Sequence, residues 1–168
     1  TPVNDISGGE LDPAMFGTVA GLNVPYIMMH MRGTPQTMQQ HTGYTDMMEE
    51  IMLYFASKVR ELRLLGVNDI ILDPGFGFSK TVDQNYLLMN RLQEFGVFDL
   101  PLLVGISRKS MIYRFLGGTP ADSLNGTTVL NAFALMNGTD ILRVHDVKAA
   151  VETVKIITKL KVEDHVHP

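Results

Sequence analysis

The 168 residues are 45% hydrophobic and 19% charged, enough apolar material to bury one domain's core and not the composition of a disordered chain. Fourteen basic side chains against 18 acidic ones give a net charge of -4, and no Lys/Arg-rich run is present, which argues against nucleic acid as the main ligand. Cysteine is absent, excluding disulfides and thiolate–zinc sites, and no apolar run is long enough to suggest a membrane span.

The chain opens Thr1-Pro2-Val3 without an initiator Met, and residues 3–7 already read as a strand, so the sequence reads as an N-terminally truncated fragment. Asp12-Pro13 supplies an N-cap and a first-turn proline for a helix to about Gly21. Residues 24–31 form a second strand. Thr45 or Asp46 opens a long helix whose stripe is Met47, Ile51, Phe55, Val59, Leu62 and Leu65, and Gly66 stops it. Residues 69–73 form a third strand, and 86–95 a helix closed by Gly96. A fourth strand at 100–105 leads to a short helix at 107–116, then to a longer one at 121–136 that ends at Asn137-Gly138. The fifth strand is 141–144, Asp146 caps a last helix at 147–160, and the polar tail 161–168 is expected to fray. No repeat, low-complexity run or linker interrupts the chain, so residues 1–168 read as a single domain.

The strand-like runs are short and rich in Ile, Val, Leu and Met, as strands covered on both faces are. Their alternation with helices predicts right-handed βα units and a parallel sheet. An open doubly wound sheet and part of an eight-stranded (β/α)8 TIM barrel both fit this pattern, and periodicity does not separate them. The placement of polar residues favours the barrel. Asn4-Asp5, His30-Met31-Arg32, Asp73, Ser107-Arg108-Lys109 and the stretch from Arg143 to Asp146 all fall at C-terminal strand ends, where barrel active sites are built.

Three segments carry candidate chemistry. Asp73-Pro74-Gly75-Phe76-Gly77-Phe78 is either a carboxylate capping a glycine turn or a ligand site. In the second reading Asp73 accepts hydrogen bonds from an amidine-like edge such as a pterin's, with Phe76 or Phe78 covering the ring. Ser107-Arg108-Lys109-Ser110 is either an anion site at a helix N-terminus or a serine cap with two solvated cations. Arg143 and His145 share a face by strand alternation, which suggests a phosphate clamp; the alternative is a rim ion pair between Arg143 and Asp146 or a neighbour. The eleven methionines, Met28, Met29 and Met31 among them, read as core filling, and His30 as a hydrogen-bonded strand-end histidine. His41, His165 and His167 carry no argument. Asn4, in an apolar strand, needs partners if buried, and a ligand edge is one candidate.

VNDISGG, MHMRGTPQTMQ, ILDPGFGFSK, LLVGISRKS and ILRVHDV occur in the order and at the spacing found in dihydropteroate synthases, and the resemblance runs from Val3 to Leu160. The chain is also similar, more distantly, to the pterin-binding domain of methyltetrahydrofolate methyltransferases; the Ser-Arg-Lys-Ser and Arg-Val-His segments favour the synthase. The resemblance implies a TIM barrel of which these are strands four to eight. It implies condensation of 6-hydroxymethyl-7,8-dihydropterin diphosphate with p-aminobenzoate in folate biosynthesis, with pyrophosphate leaving. Asn4 and Asp73 would bond the pterin ring, lined by Met29 and Gly105. Lys109 would contact both substrates beside Phe78 and Ser110, and Arg143 and His145 would hold the pyrophosphate. Lys109, Arg143 and His145 are thus the implied catalytic residues. The resemblance further implies Mg2+, with its ligand outside this chain, sulfonamide inhibition, a homodimer and a cytoplasmic location.

The family's first three strands have no counterpart here, and with them go loops expected to hold magnesium, p-aminobenzoate and part of the pterin. Five strands cannot close an eight-stranded barrel, so an inactive fragment is expected beside an active whole enzyme. A pterin-binding module without turnover and a fragment associating through open sheet edges are the competing readings.

Overall fold

The computed structural model describes residues 1–163, of Glu163 the backbone alone; residues 164–168, with His165 and His167, lie outside the described residues. Five strands are formed: β1 (Val3–Asp5), β2 (Tyr26–Met29), β3 (Ile70–Asp73), β4 (Leu103–Val104) and β5 (Ile141–Leu142). Between and after them run α1 (Met15–Leu22), α2 (Met47–Leu64), α3 (Val82–Asn90), α4 (Ser110–Leu116), α5 (Leu124–Met136) and α6 (Val147–Glu163). All pairings are parallel. β1 aligns Asn4 with Ile27 of β2, β2 aligns Met29 with Asp73 of β3, and β4 aligns Leu103 with Ile141 of β5. β3 and β4 meet at one bridge, Leu72 to Leu102, so the strands lie in chain order.

Strand alternation divides the side chains into two sets. Tyr26, Met28, Ile70, Leu72, Leu102, Val104 and Ile106 face the helices and join Met48, Ile51, Phe55 and Leu62 of α2 in one buried core. Phe55 is fully buried, with ring contacts to Tyr54 at 5.3 Å, Phe95 at 5.9 Å and Phe98 at 6.3 Å. The other set, which includes Asn4, Met29, Asp73, Gly105 and Arg143, faces the concave side of the sheet, the side that is the interior of a barrel.

The strands are shorter than the apolar runs because the rim residues leave the ladder to build loops. Asp5 ends β1 by accepting from Ser7 N at 2.8 Å, Ser7 Oγ at 2.7 Å, Gly9 N at 2.7 Å and Tyr26 Oη at 2.7 Å. Burial pulls its pKa up, but these four hydrogen bonds outweigh burial and hold the carboxyl below its ordinary value.

Local signals also place the helix ends. Asp46 caps α2 by accepting from Glu49 N at 3.0 Å. Leu65 does not continue the stripe: it follows the last helical residue and is 48% exposed. The third helix begins earlier than residue 86, at Val82, because Thr81 and Gln84 form a reciprocal capping box. It is followed by a 3-10 segment, Leu92–Phe98. Asp12 caps a turn through Ala14 N at 2.9 Å, and α1 starts only at Met15. Similarly, α4 starts at Ser110 and not at 107, because Arg108 takes a left-handed φ of 55° that no helix tolerates.

Candidate functional site

The sheet is staggered, and the stagger decides which rim residues meet. Met29 is in register with Asp73 on β2 and β3, whereas Gly105 and Arg143 lie beyond the ends of β4 and β5. Arg143 therefore reaches back across the strand-end of β4. A Cβ on Gly105 would lie 2.8 Å from Arg143 Nη2, so glycine is what lets the guanidinium lie over the backbone. There Nη2 stands 2.8 Å from Asp73 Oδ2.

Asp73 is 1% exposed, and its two oxygens are used differently. Oδ1 accepts from Gly75 N at 2.9 Å and caps the glycine turn. Oδ2 has the Arg143 cation beside it, but not in hydrogen-bond alignment, so no donor among the described residues satisfies it. The turn-capping reading of Asp73 holds. One oxygen supports the loop, and the other is a buried anionic acceptor awaiting a donor. Gly75 adopts φ 73°, and a Cβ there would collide with the His30 carbonyl, which packs the loop against β2.

Lys109 approaches from the next loop. Its ammonium donates to the Phe76 carbonyl and lies 4.8 Å from the centre of the Phe78 ring. Burial pulls its pKa down to about 8, with Asp73 acting in the opposite direction and Arg143 reinforcing the fall. Beyond Lys109 opens a cleft of about 660 Å³ lined by Phe78, Ser110, Tyr113 and Met38, with Arg108 and Arg114 at its walls. Lys109 thus stands between a buried carboxylate and a half-apolar cleft.

Strand alternation does not reach Arg143 and His145, because β5 ends at Leu142, and the two do not form one clamp. His145 Nδ1 lies 3.0 Å from Ser107 Oγ, which also accepts from the His145 backbone N–H at 3.2 Å. A Ser107 hydroxyl that donates to Nδ1 would leave the ring proton on Nε2, where it can serve an anion. Ser107 therefore positions a histidine and does not cap a helix. The rim ion pair exists with different partners: Asp146 takes Arg108 in two contacts at 2.5 and 3.0 Å, leaving Arg143 to Asp73. Asn4 is exposed on the concave face and, among the described residues, has no side-chain hydrogen bond, so burial places no demand on it.

The arrangement offers a buried acceptor, two cations over a flat floor, and an adjoining cleft. Residues 1–145 match the family described as pterin binding enzymes. The chain belongs to the pterin-binding enzyme family. It is 41% identical over 157 residues to the dihydropteroate synthase of Escherichia coli (strain K12), covering 92% of this chain and 55% of that protein. The fold matches the Yersinia pestis dihydropteroate synthase solved with a sulfonamide drug at a TM-score of 0.91 and 37% identity, covering 96% of this chain and 59% of that one. It matches the Thermus thermophilus enzyme solved with 4-aminobenzoate at 0.90 and 36% identity, covering 95% and 62%. The five parallel strands are thus part of an α/β barrel, and the chain spans about half the length of the curated relatives it matches.

Within this pterin-binding fold, one buried cation escaped sequence reasoning. Lys80 is 3% exposed and donates to the carbonyls of Gly75 at 3.1 Å and Phe78 at 3.0 Å, with His30 Nδ1 at 3.0 Å. Burial lowers its pKa to about 7, Asp73 acting in the opposite direction and Lys109 reinforcing the fall. His30 is a bonded strand-end residue, as its position suggested, and burial, with Lys80 and Arg32 nearby, holds it well below its ordinary pKa. The sequence signal for Lys80 was a lysine closing a glycine-rich loop, which by itself reads as a solvated charge. Met29 lies fully buried beneath the same loop.

Among the described residues no group of three or more His, Asp or Glu side chains could hold a metal ion, and the one buried carboxylate at the site already faces cations. The described residues thus offer Mg2+ no ligand set of their own. No described helix is long and apolar enough to cross a membrane.

Proposed function

We propose that this chain carries the fourth-to-eighth-strand share of a dihydropteroate synthase active site, joining 6-hydroxymethyl-7,8-dihydropterin diphosphate to p-aminobenzoate. The observation that carries the reading is Asp73 Oδ2, a buried anionic acceptor without a hydrogen-bond donor. A pterin's amino and ring N–H groups supply such donors, and a charge-assisted pair of this kind is among the stronger hydrogen bonds available. Asn4 and Met29 flank the ring on the concave face, with Gly105 leaving room for Arg143 over it.

The arylamine enters the cleft beyond Lys109, its ring against Phe78 and its carboxylate toward Ser110 and the arginines. A sulfonamide, which shares the aniline, takes the same place. The amine nitrogen attacks the pterin methylene carbon, the carbon–oxygen bond breaks, pyrophosphate departs with the bonding pair, and the amine loses a proton. Arg143 and the His145 Nε2–H oppose the charge that grows on the leaving group. Orientation of the two substrates supplies the rest, without a covalent intermediate on the protein. A cytoplasmic homodimer is part of this reading.

Because the chain spans about half of its relatives, pterin binding without turnover is the second reading. Calorimetric titration of the 168-residue protein with a pterin, with and without pyrophosphate and Mg2+, tests both. Saturable binding strengthened by pyrophosphate is the expected result; a folded protein with no pterin affinity would remove the assignment from this chain. Dihydropteroate formation from both substrates separates synthase from binding module.

A further inference from the structure

The buried Lys80 lies outside the cleft and touches neither proposed substrate position. Its three partners, however, are all parts of the site's frame. Gly75 follows the turn that Asp73 caps, Phe78 is the ring beneath the Lys109 ammonium, and His30 terminates the strand that lies against the loop. Between the two carbonyls that Lys80 holds lies Phe76, whose own carbonyl receives Lys109. The loop reverses direction tightly here, with left-handed backbone at Gly75, Gly77 and Ser79, and such a loop turns several carbonyls inward that need donors. One ammonium with three donors satisfies two of them and a histidine nitrogen together.

We infer that Lys80 is a positioning residue for arylamine binding: by gathering the Gly75 and Phe78 carbonyls it sets the Phe76 carbonyl and the Phe78 ring that hold Lys109 in place. The inference rests on the proposed arylamine cleft. His30 serves as the fixed end of the device, itself held against the core by an edge contact with Tyr54 at 4.9 Å. Methionine at 80 fills similar space without donating. The Phe78 carbonyl then turns toward water, the ring leaves the Lys109 ammonium, and the cleft loses its floor.

The test is K80M in the full 168-residue protein, read by NMR of the Lys109 side-chain methylenes. In the native protein the Phe78 ring, 4.8 Å from the ammonium, is expected to shift these protons upfield, and F78A marks their position without it. K80M is expected to move them to the F78A position while circular dichroism stays native. It should also weaken p-aminobenzoate about tenfold or more by calorimetry while pterin affinity changes less, a loss of about 1.4 kcal/mol confined to one ligand. Native Lys109 shifts in folded K80M overturn the inference, and so does equal weakening of both ligands, which is what general loosening gives. If K80M does not fold, K80L, which also lacks a donor, takes its place with the same readout. Collapse of both variants also overturns the inference, since Lys80 is then a determinant of folding alone. Should the native protein bind neither ligand, the proposed function fails, while the Lys109 resonances still decide the role of Lys80.

Discussion

Replacing Asp73 by asparagine tests the site with almost no change in shape. The amide oxygen can keep the Gly75 N–H now held at 2.9 Å, so the loop retains its cap. The amide NH2 then stands where Oδ2 was, 2.8 Å from Arg143 Nη2, and sets donor against donor. A pterin loses its anionic acceptor and meets a donor in its place. Hydrogen bonds to a charged group contribute about 1.5–3 kcal/mol, so pterin affinity is expected to fall about 10- to 150-fold. Calorimetry measures the loss against the native protein under one buffer condition. The same substitution removes the anion that favours the protonated amines, so Lys109 should titrate below about 8 and Lys80 below about 7. Unchanged pterin affinity would refute the assignment of Asp73 to the ring. Unmoved lysine titrations would refute the electrostatic coupling on which the site is built.

Lys109→Ala should abolish turnover in a system that shows it and weaken a sulfonamide at least tenfold; normal values for both would remove Lys109 from the cleft. Lys80 predicts a pH dependence of stability. The unfolded chain holds its proton to about pH 10.5 and the folded one only to about 7, so between these limits unfolding takes up a proton and stability rises with pH. The slope is on the order of 1 kcal/mol per pH unit for one proton, with Lys109 adding in the same sense above pH 8. Urea midpoints at pH 7 and 9 check it, and a flat or falling midpoint contradicts the buried amine. Gly75→Ala forces a left-handed backbone and a collision with the His30 carbonyl, for an expected loss of roughly 2–4 kcal/mol in thermal or urea unfolding. Phe55→Ala should cost about 3–5 kcal/mol by the same measurement, because nothing else fills the ring's place between Tyr54, Phe95 and Phe98.

Sequence reasoning succeeded where the cause is local. Asp46 begins a helix because its carboxylate meets an amide three residues on, and the α2 stripe from Met47 to Leu62 is buried because 3.6 residues make a turn. It missed the start of α3, where the Thr81–Gln84 box was equally local and went unread. It placed Asp73, Lys109, Arg143 and His145 at one rim, since strand ends are visible as the limits of apolar runs. It misassigned partners: Arg143 was expected to stand with His145 or Asp146 and instead meets Asp73. Ser107, a candidate cap by its place before a helix, instead holds His145.

These partners share a cause. Asp73 and Arg143 are 70 positions apart, and His30 and Lys80 are 50 apart, so no spacing rule connects them. The apolar rhythm and the glycine-rich turns of this chain determine by themselves that parallel strands alternate with helices and end in polar loops. Which loops touch depends on the order of the strands and the stagger between β3, β4 and β5. That stagger carries Arg143 across Gly105 and leaves Asp73 Oδ2 without a donor. Only the packed sheet decides it, because register is a property of two strands together and a single sequence describes them one at a time.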